Sequence, residues 1–450
     1  MAEKIAKMRR RESRPLYDGE YSRMNTAVFL LLLFIPAAAT ILFGGVDNNT
    51  WALIQILWVV IVALWAAEAW RTDRLSLPNL PLVLPILGLA AVGFIQLLPI
   101  AGIASQEPIN TRLLALKLLI FATFLAASFA FIDTDKRIKR VAMFVVIFGS
   151  LLAFFGILQR LANPDGIYGL RETPQAIPFG PFVNQHHFAS FMQMTGGVAL
   201  GLVFGRTLSR NTMLLIATGA VLMGTAVAMT SSRGGMLGFA AMLVVVAFLS
   251  LGRQKRTSED AGIFTKLRMN AGIVIGAAAI ILLILGTVLF VGGDESLLRG
   301  VGAARPGMDI STGRFHFWPI AIQIFLANPI LGAGLDAFGV AFTRYDTWNG
   351  ALRVEQAHNE YLQMLADAGV VGFLLLAAFI LMFFRKASAV IASAHGSRRA
   401  IAAGAFAGCF GILIHSFFDF PLRTFSNGFF FLLLVVLATQ MTDEKEATRS

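Results

Sequence analysis

Apolar residues in this chain fall in unbroken runs, not in the one-in-three-or-four rhythm of a surface helix or the alternation of a half-buried strand. Twelve such runs stand near residues 26–45, 51–70, 80–98, 113–132, 141–158, 188–205, 212–229, 234–250, 270–291, 368–384, 400–418 and 425–440. Each is roughly 17 to 22 residues long, the length a helix needs to cross the hydrocarbon of a bilayer. In lipid every backbone N–H and C=O must bond within its own segment. The pattern therefore predicts an all-α polytopic membrane protein with about twelve transmembrane helices.

Composition agrees, with 57% hydrophobic residues, 14% charged residues and a mean hydropathy of +0.72. Soluble α/β enzymes, disordered chains and disulfide scaffolds are excluded. The single cysteine, Cys409, sits inside an apolar run and reads as a small buried hydrophobe.

Charge sets the orientation. Residues 1–25 carry seven Lys and Arg without a short apolar core and cleavage site, so they read as a basic cytoplasmic tail, not a removable signal peptide. With that tail inside, 26 of the 37 Lys and Arg fall on the inner side, ten on the outer side, and Lys117 within a span. Both termini are then cytoplasmic. The plan is a tail (1–25), spans one to nine (26–291), a large helical periplasmic loop before span ten (292–367), spans ten to twelve (368–440) and a second tail (441–450). The net charge of +11 follows from this topology and calls for anionic lipid, not nucleic acid.

The long outer connections, 159–187 and 292–367, are where chemistry is expected. All ten outer cations are Arg, which points to recognition of anions by guanidinium forks. Five of the six histidines (His186, His187, His316, His358 and His415) are also near the outer side. They occupy four separate segments with no His-Glu-x-x-His run and no Cys, so no metal site is expected. Phosphate-binding GxxxxGK[ST] loops and GxSxG elbows are missing as well.

From 311 the chain reads STGRFHFWPIAIQIFLANP, in which Ser311 or Thr312 can cap a helix with Trp318, Ile322 and Phe325 on its apolar face. Too short to span, that helix should lie along the interface, with Arg314 in its first turn either snorkelling or meeting a lipid diphosphate. A second helix starts around Ala357 and feeds span ten, with His358, Leu362, Leu365 and Gly369 on one face. Spacing alone makes His358 a capping or interfacial residue more readily than a functional one.

Here the sequence resembles the O-antigen ligase and polymerase superfamily of polytopic bacterial glycosyltransferases. The pattern His-(Asn/Ser/Gln)-x9-Gly-x-x-(Gly/Thr/Tyr) is met by His358, Asn359, Gly369 and Gly372 at the end of the largest outer loop. Also similar are Thr230 to Gly235, Gly313-Arg314 with Trp318, Asn328-Pro329 with Gly332, Gly334 and Phe338, and His415 to Asp419. The resemblance is strongest over about 180–425. It implies transfer of a glycan from an undecaprenyl diphosphate carrier to a hydroxyl acceptor (another glycan, lipid A-core or protein) on the periplasmic face of the inner membrane, by inversion and without metal, nucleotide or other cofactor. His358 would orient or deprotonate the acceptor, with Asn359 and Glu360 beside it. Arg233 and Arg314 would clamp the leaving diphosphate.

Lys117, about one turn into span four, either snorkels or meets the diphosphate. Asn184 and His187 resemble the family's entrance to the following span and could line the sugar site, or act as a cap and an interfacial anchor. His415 could bind substrate, pair with Asp419 or cap the last hairpin.

A ligase moves the finished glycan to lipid A-core or protein, whereas a polymerase joins lipid-linked repeats; the His358 pattern favours ligase-type transfer only slightly. A transporter or flippase would show charged or broken segments near the midplane and inverted repeats, and neither is evident. A metal-dependent oligosaccharyltransferase would need acidic ligands in the first outer loop, where residues 46–50 offer one carboxylate.

Overall fold

The computed structural model describes residues 21–162, 166–174, 176–257, 313–348 and 353–441. In chain order the helices are α1 (Arg23–Ile41), α2 (Asn48–Thr72), α3 (Leu80–Gln96), α4 (Pro108–Phe131), α5 (Asp135–Ala162), α6 (Gln185–Gly205), α7 (Arg210–Met229), α8 (Arg233–Thr257), α9 (Arg314–Ala327), α10 (Phe338–Phe342), α11 (Glu360–Ser393), α12 (Gly396–His415) and α13 (Phe425–Thr439). Between α5 and α6 lies a small antiparallel hairpin, β1 (Gly166–Ile167) with β2 (Arg171–Glu172). Among the described residues nine helices are long and apolar enough to cross a membrane; α3 and α13 are apolar but shorter. The chain is thus an all-α, multi-pass membrane protein. The run at 270–291 lies outside the described residues.

Burial separates the centre of the bundle from its rim. The apolar window of α6 is 89% buried and that of α2 only 17%, so α6 is an internal post and α2 faces lipid. Glycines bring α6 against α12. A Cβ on Gly201 would lie 2.5 Å from the Gly404 Cα, and one on Gly197 2.6 Å from the Gly408 backbone nitrogen. Small residues one turn apart on both helices let the backbones touch, the packing that lipid favours because it offers no hydrophobic drive between helices. α13 completes the core, with Phe425, Phe429 and Phe430 fully buried. Cys409 is buried in this core as expected.

The structure redraws two expected helices. Gly313, with φ 89°, precedes α9, while Ser311 and Thr312 lie outside the described residues. The inward face of α9 is Phe317, Ile320, Ala321 and Ile324; Ile322 is exposed. The expected face was rotated because apolar residues occupy nearly every position of this helix, leaving periodicity no contrast to read.

α11 breaks at Gly369, whose φ of 62° and ψ of −161° are open only to glycine. The amides freed downstream are not lost: Val370 N donates to Pro329 O at 2.9 Å and Val371 N to Ile330 O at 3.2 Å. A Cβ on Gly369 would collide with the Ile330 backbone, and one on Gly332 with that of Asp367. The glycines of the 328–334 and 369–372 motifs are therefore two halves of one backbone crossing.

Candidate functional site

The crossing holds the first turns of α11 at one end of the bundle, where α6, α8, α9 and α13 begin and α12 ends. Asn359 caps α11, its Oδ1 accepting from Tyr361 N and Leu362 N, both at 3.1 Å. His358 thus stands just outside the helix, in left-handed backbone at φ 50°. Its predecessor is pinned from two sides, since Ala357 N donates to Gln363 Oε1 at 2.7 Å and Ala357 O accepts from Trp318 Nε1 at 3.1 Å. The expected common face of His358 with Leu362 and Leu365 therefore does not form.

The His358 ring lies between Phe317 (6.2 Å between centroids) and Phe420 (5.1 Å), and its Nδ1 is 3.3 Å from Asp419 Oδ1. That separation allows charge pairing, although Nδ1 is not aimed along a good hydrogen-bond direction. Asp419 is 1% exposed. Burial alone would push its carboxyl up; the contact with His358 and the nearby His186 and His187 outweigh it and hold the group well below the usual carboxylate range.

Neighbouring elements converge on this pair. Arg314 donates to the Phe418 carbonyl from Nε at 3.1 Å and Nη2 at 2.6 Å. Asn184 caps α6 by accepting from His186 N at 2.8 Å, and His186 Nδ1 meets Ser232 Oγ at 2.8 Å, next to Arg233. The charges of Asp419, Arg314, His358 and Arg233 all act on His186. His187 is buried edge-on against Phe420 at 5.1 Å. His187 Nε2 and Asp419 Oδ2 are buried without a hydrogen-bond partner among the described residues.

His415 does not make the hydrogen-bonded pair with Asp419 that its spacing allowed. Its Nδ1 contacts Ser190 Oγ at 2.7 Å and Gln193 Nε2 at 3.2 Å, and Asp419 turns to His358 instead. Gly234 makes room for the imidazole, since a Cβ there would lie 2.7 Å from His415 Cδ2.

A second polar cluster lies beside the first, with Arg423 as its hub. The guanidinium reaches Asp336 Oδ1 at 2.6 Å, Glu360 Oε1 at 3.1 Å and Asp367 Oδ2 at 3.1 Å. Burial would lower the Arg423 pKa, but Glu360, Asp336 and Asp367 raise it above its ordinary value. Lys117 joins through its Nζ, donating to Arg423 O at 2.8 Å and lying 4.7 Å over the Trp51 ring. Glu360 is thus Arg423's partner, not His358's. Among the described residues, no group of three or more His, Cys, Asp or Glu side chains could hold a metal ion.

Of the residues expected from sequence, His358 meets Asp419, Arg314 holds the residue before it, and His187 packs on the residue after it, while Asn184 and Arg233 flank His186. Asn359 serves as a cap, Lys117 and Glu360 join the Arg423 cluster, and His415 is a buried brace. Sequence reasoning missed Asp419 as the partner of His358 and Arg423 altogether. The signal for Asp419 was the His415-Ser416-Phe417-Phe418-Asp419 motif, in which a carboxylate follows four residues after a histidine.

Residues 218–377 match the family model described as O-antigen ligase, which supports membership of the O-antigen ligase superfamily. The matched stretch includes Arg233, Arg314 and His358 and ends before Asp419 and Arg423. No curated protein matches the chain.

Proposed function

We propose that this chain transfers a glycan from an undecaprenyl diphosphate carrier to a hydroxyl acceptor, in the manner of an O-antigen ligase, at the periplasmic end of the bundle. The single observation that carries the reading is the His358–Asp419 pair set among Arg314, Arg233 and His186 at one end of a membrane bundle. Such a pair next to fixed guanidinium groups has the parts that acyl-free glycosyl transfer needs: a base for the attacking hydroxyl and positive charge for an anionic leaving group.

In this mechanism the Asp419 carboxylate pairs with the imidazole on its Nδ1 side, leaving Nε2 to accept the proton of the acceptor hydroxyl. The acceptor oxygen forms a bond to the anomeric carbon as the carbon–oxygen bond to phosphate breaks. Its electron pair goes to the departing lipid diphosphate, beside Arg314 and Arg233. Attack opposite the leaving group inverts the anomeric centre. Asn184 and His187 would face a sugar hydroxyl, which the buried His187 Nε2, without a hydrogen-bond partner among the described residues, would meet. The Nε and Nη2 edge of Arg314 holds the Phe418 carbonyl, so this arginine also fixes the loop that carries Asp419.

The testing experiment reconstitutes the purified protein with undecaprenyl diphosphate-linked glycan and resolves products by size, first alone and then with lipid A-core. Transfer only after the acceptor is added supports the ligase reading. A ladder of longer lipid-linked chains without it identifies a polymerase, and no product under either condition removes the reading.

A further inference from the structure

An aromatic cluster near the His358 site takes no part in the chemistry above. The His316 ring stacks on Trp348 with centroids 4.3 Å apart and planes within 6°. Asp346 locks both: its Oδ1 accepts from His316 Nε2 at 2.8 Å and from Trp348 N at 3.0 Å. Phe317 then links this pair to the site, lying 5.7 Å from the Trp348 ring and 6.2 Å from that of His358. Despite this rigid backing the indole remains 43% exposed.

We propose that Trp348, braced by His316 and Asp346, is a glycan-binding platform that takes the pyranose ring of a sugar one or two units from the bond handled at His358. The proposal rests on the glycan-transfer reading and names where the rest of the chain of sugars lies. One face of a pyranose is a sheet of C–H groups edged by hydroxyls. The negative face of an indole attracts such C–H groups, and the hydrogen-bonded His316–Asp346 pair behind the ring offers polar atoms to the hydroxyls. Two ring contacts separate Trp348 from His358, the reach of a disaccharide.

An indole at a membrane surface can also anchor in lipid. The exposed apolar residues of α9, however, are Phe315, Ile322 and Leu326, which share one side of the helix about 100° away from His316. Lipid contact is thus assigned to that side, and the polar backing of Trp348 favours a sugar.

The test uses full-length protein in nanodiscs and, as probe, the oligosaccharide released by mild acid from lipid-linked glycans of the cells that make the protein. Titration calorimetry compares wild type with Trp348→Ala and Trp348→Phe, and thermal unfolding is followed for each. Trp348→Ala should weaken binding about 5-fold while Trp348→Phe stays within about 2-fold of wild type, in line with the strength of an aromatic face contact. Equal affinity in wild type and Trp348→Ala, or no binding by wild type, overturns the platform. Wild type that binds the oligosaccharide through Trp348 yet transfers nothing leaves the platform standing and removes the transferase reading.

Discussion

Arg314, in the first turn of α9, donates from two nitrogens to the carbonyl of Phe418, one residue before the carboxylate that meets His358. The bond ties α9 to the loop after α12, so the position of Asp419 depends on a guanidinium 105 residues earlier in the chain. A fork of two N–H donors on one oxygen fixes direction as well as distance, which a single ammonium cannot do.

Replacing Arg314 by Lys should therefore lower glycan transfer about 10- to 100-fold, the cost of a lost charge-assisted bond, without loss of protein from the membrane. Turnover measured in proteoliposomes checks this. Unchanged kinetics would show that the Phe418 contact does not matter for the reaction.

Asp419→Asn keeps the shape of the side chain and removes its charge. If the carboxylate holds the imidazole in its working tautomer, turnover should fall about 10²- to 10⁴-fold while binding of the lipid-linked donor changes little. A variant that loses donor binding and keeps turnover at saturation would place Asp419 with the substrate instead.

The depressed pKa of Asp419 gives a pH prediction with a definite sign. A carboxylate whose folded pKa lies below its unfolded value contributes stability that is present above the unfolded value, near pH 4, and is lost only as pH falls through the lower folded value. Infrared difference spectra of wild type against Asp419→Asn should thus show no protonated-carboxyl band from this residue between pH 8 and pH 5. Such a band growing in within that window would mean that the carboxyl titrates there.

Arg423 compensates three carboxylates, so Arg423→Met should leave buried negative charge unpaired. The expected cost is about 3–5 kcal/mol, read as a lower Tm of the detergent-solubilised protein. A Tm equal to wild type would show that water reaches Asp336, Glu360 and Asp367.

The apolar runs made the bundle legible because lipid leaves a chain few alternatives. Runs at 188–205 and 400–418 became α6 and α12 within a few residues. Their pairing through Gly197, Gly201, Gly404 and Gly408 was not legible, since a small residue states that something comes close without stating what. The same gap separates His358, found from its motif, from its partner. Asp419 stands four residues after His415 and invited a helical pairing, but α12 ends at His415 and the following turn swings the carboxylate to His358. Glu360 was assigned to His358 as its near neighbour in sequence. With Asn359 as the cap, the helix begins at Glu360 and points that side chain to Arg423.

The central claim is that His358 activates the acceptor, and it is tested most directly by turnover of His358→Ala in proteoliposomes holding undecaprenyl diphosphate-linked glycan and acceptor. Protein level, membrane insertion and donor binding are measured on the same preparation. The account predicts transfer reduced to background with the other three preserved. Transfer at the wild-type rate would contradict it and return His358 to the role of a residue that merely precedes a helix.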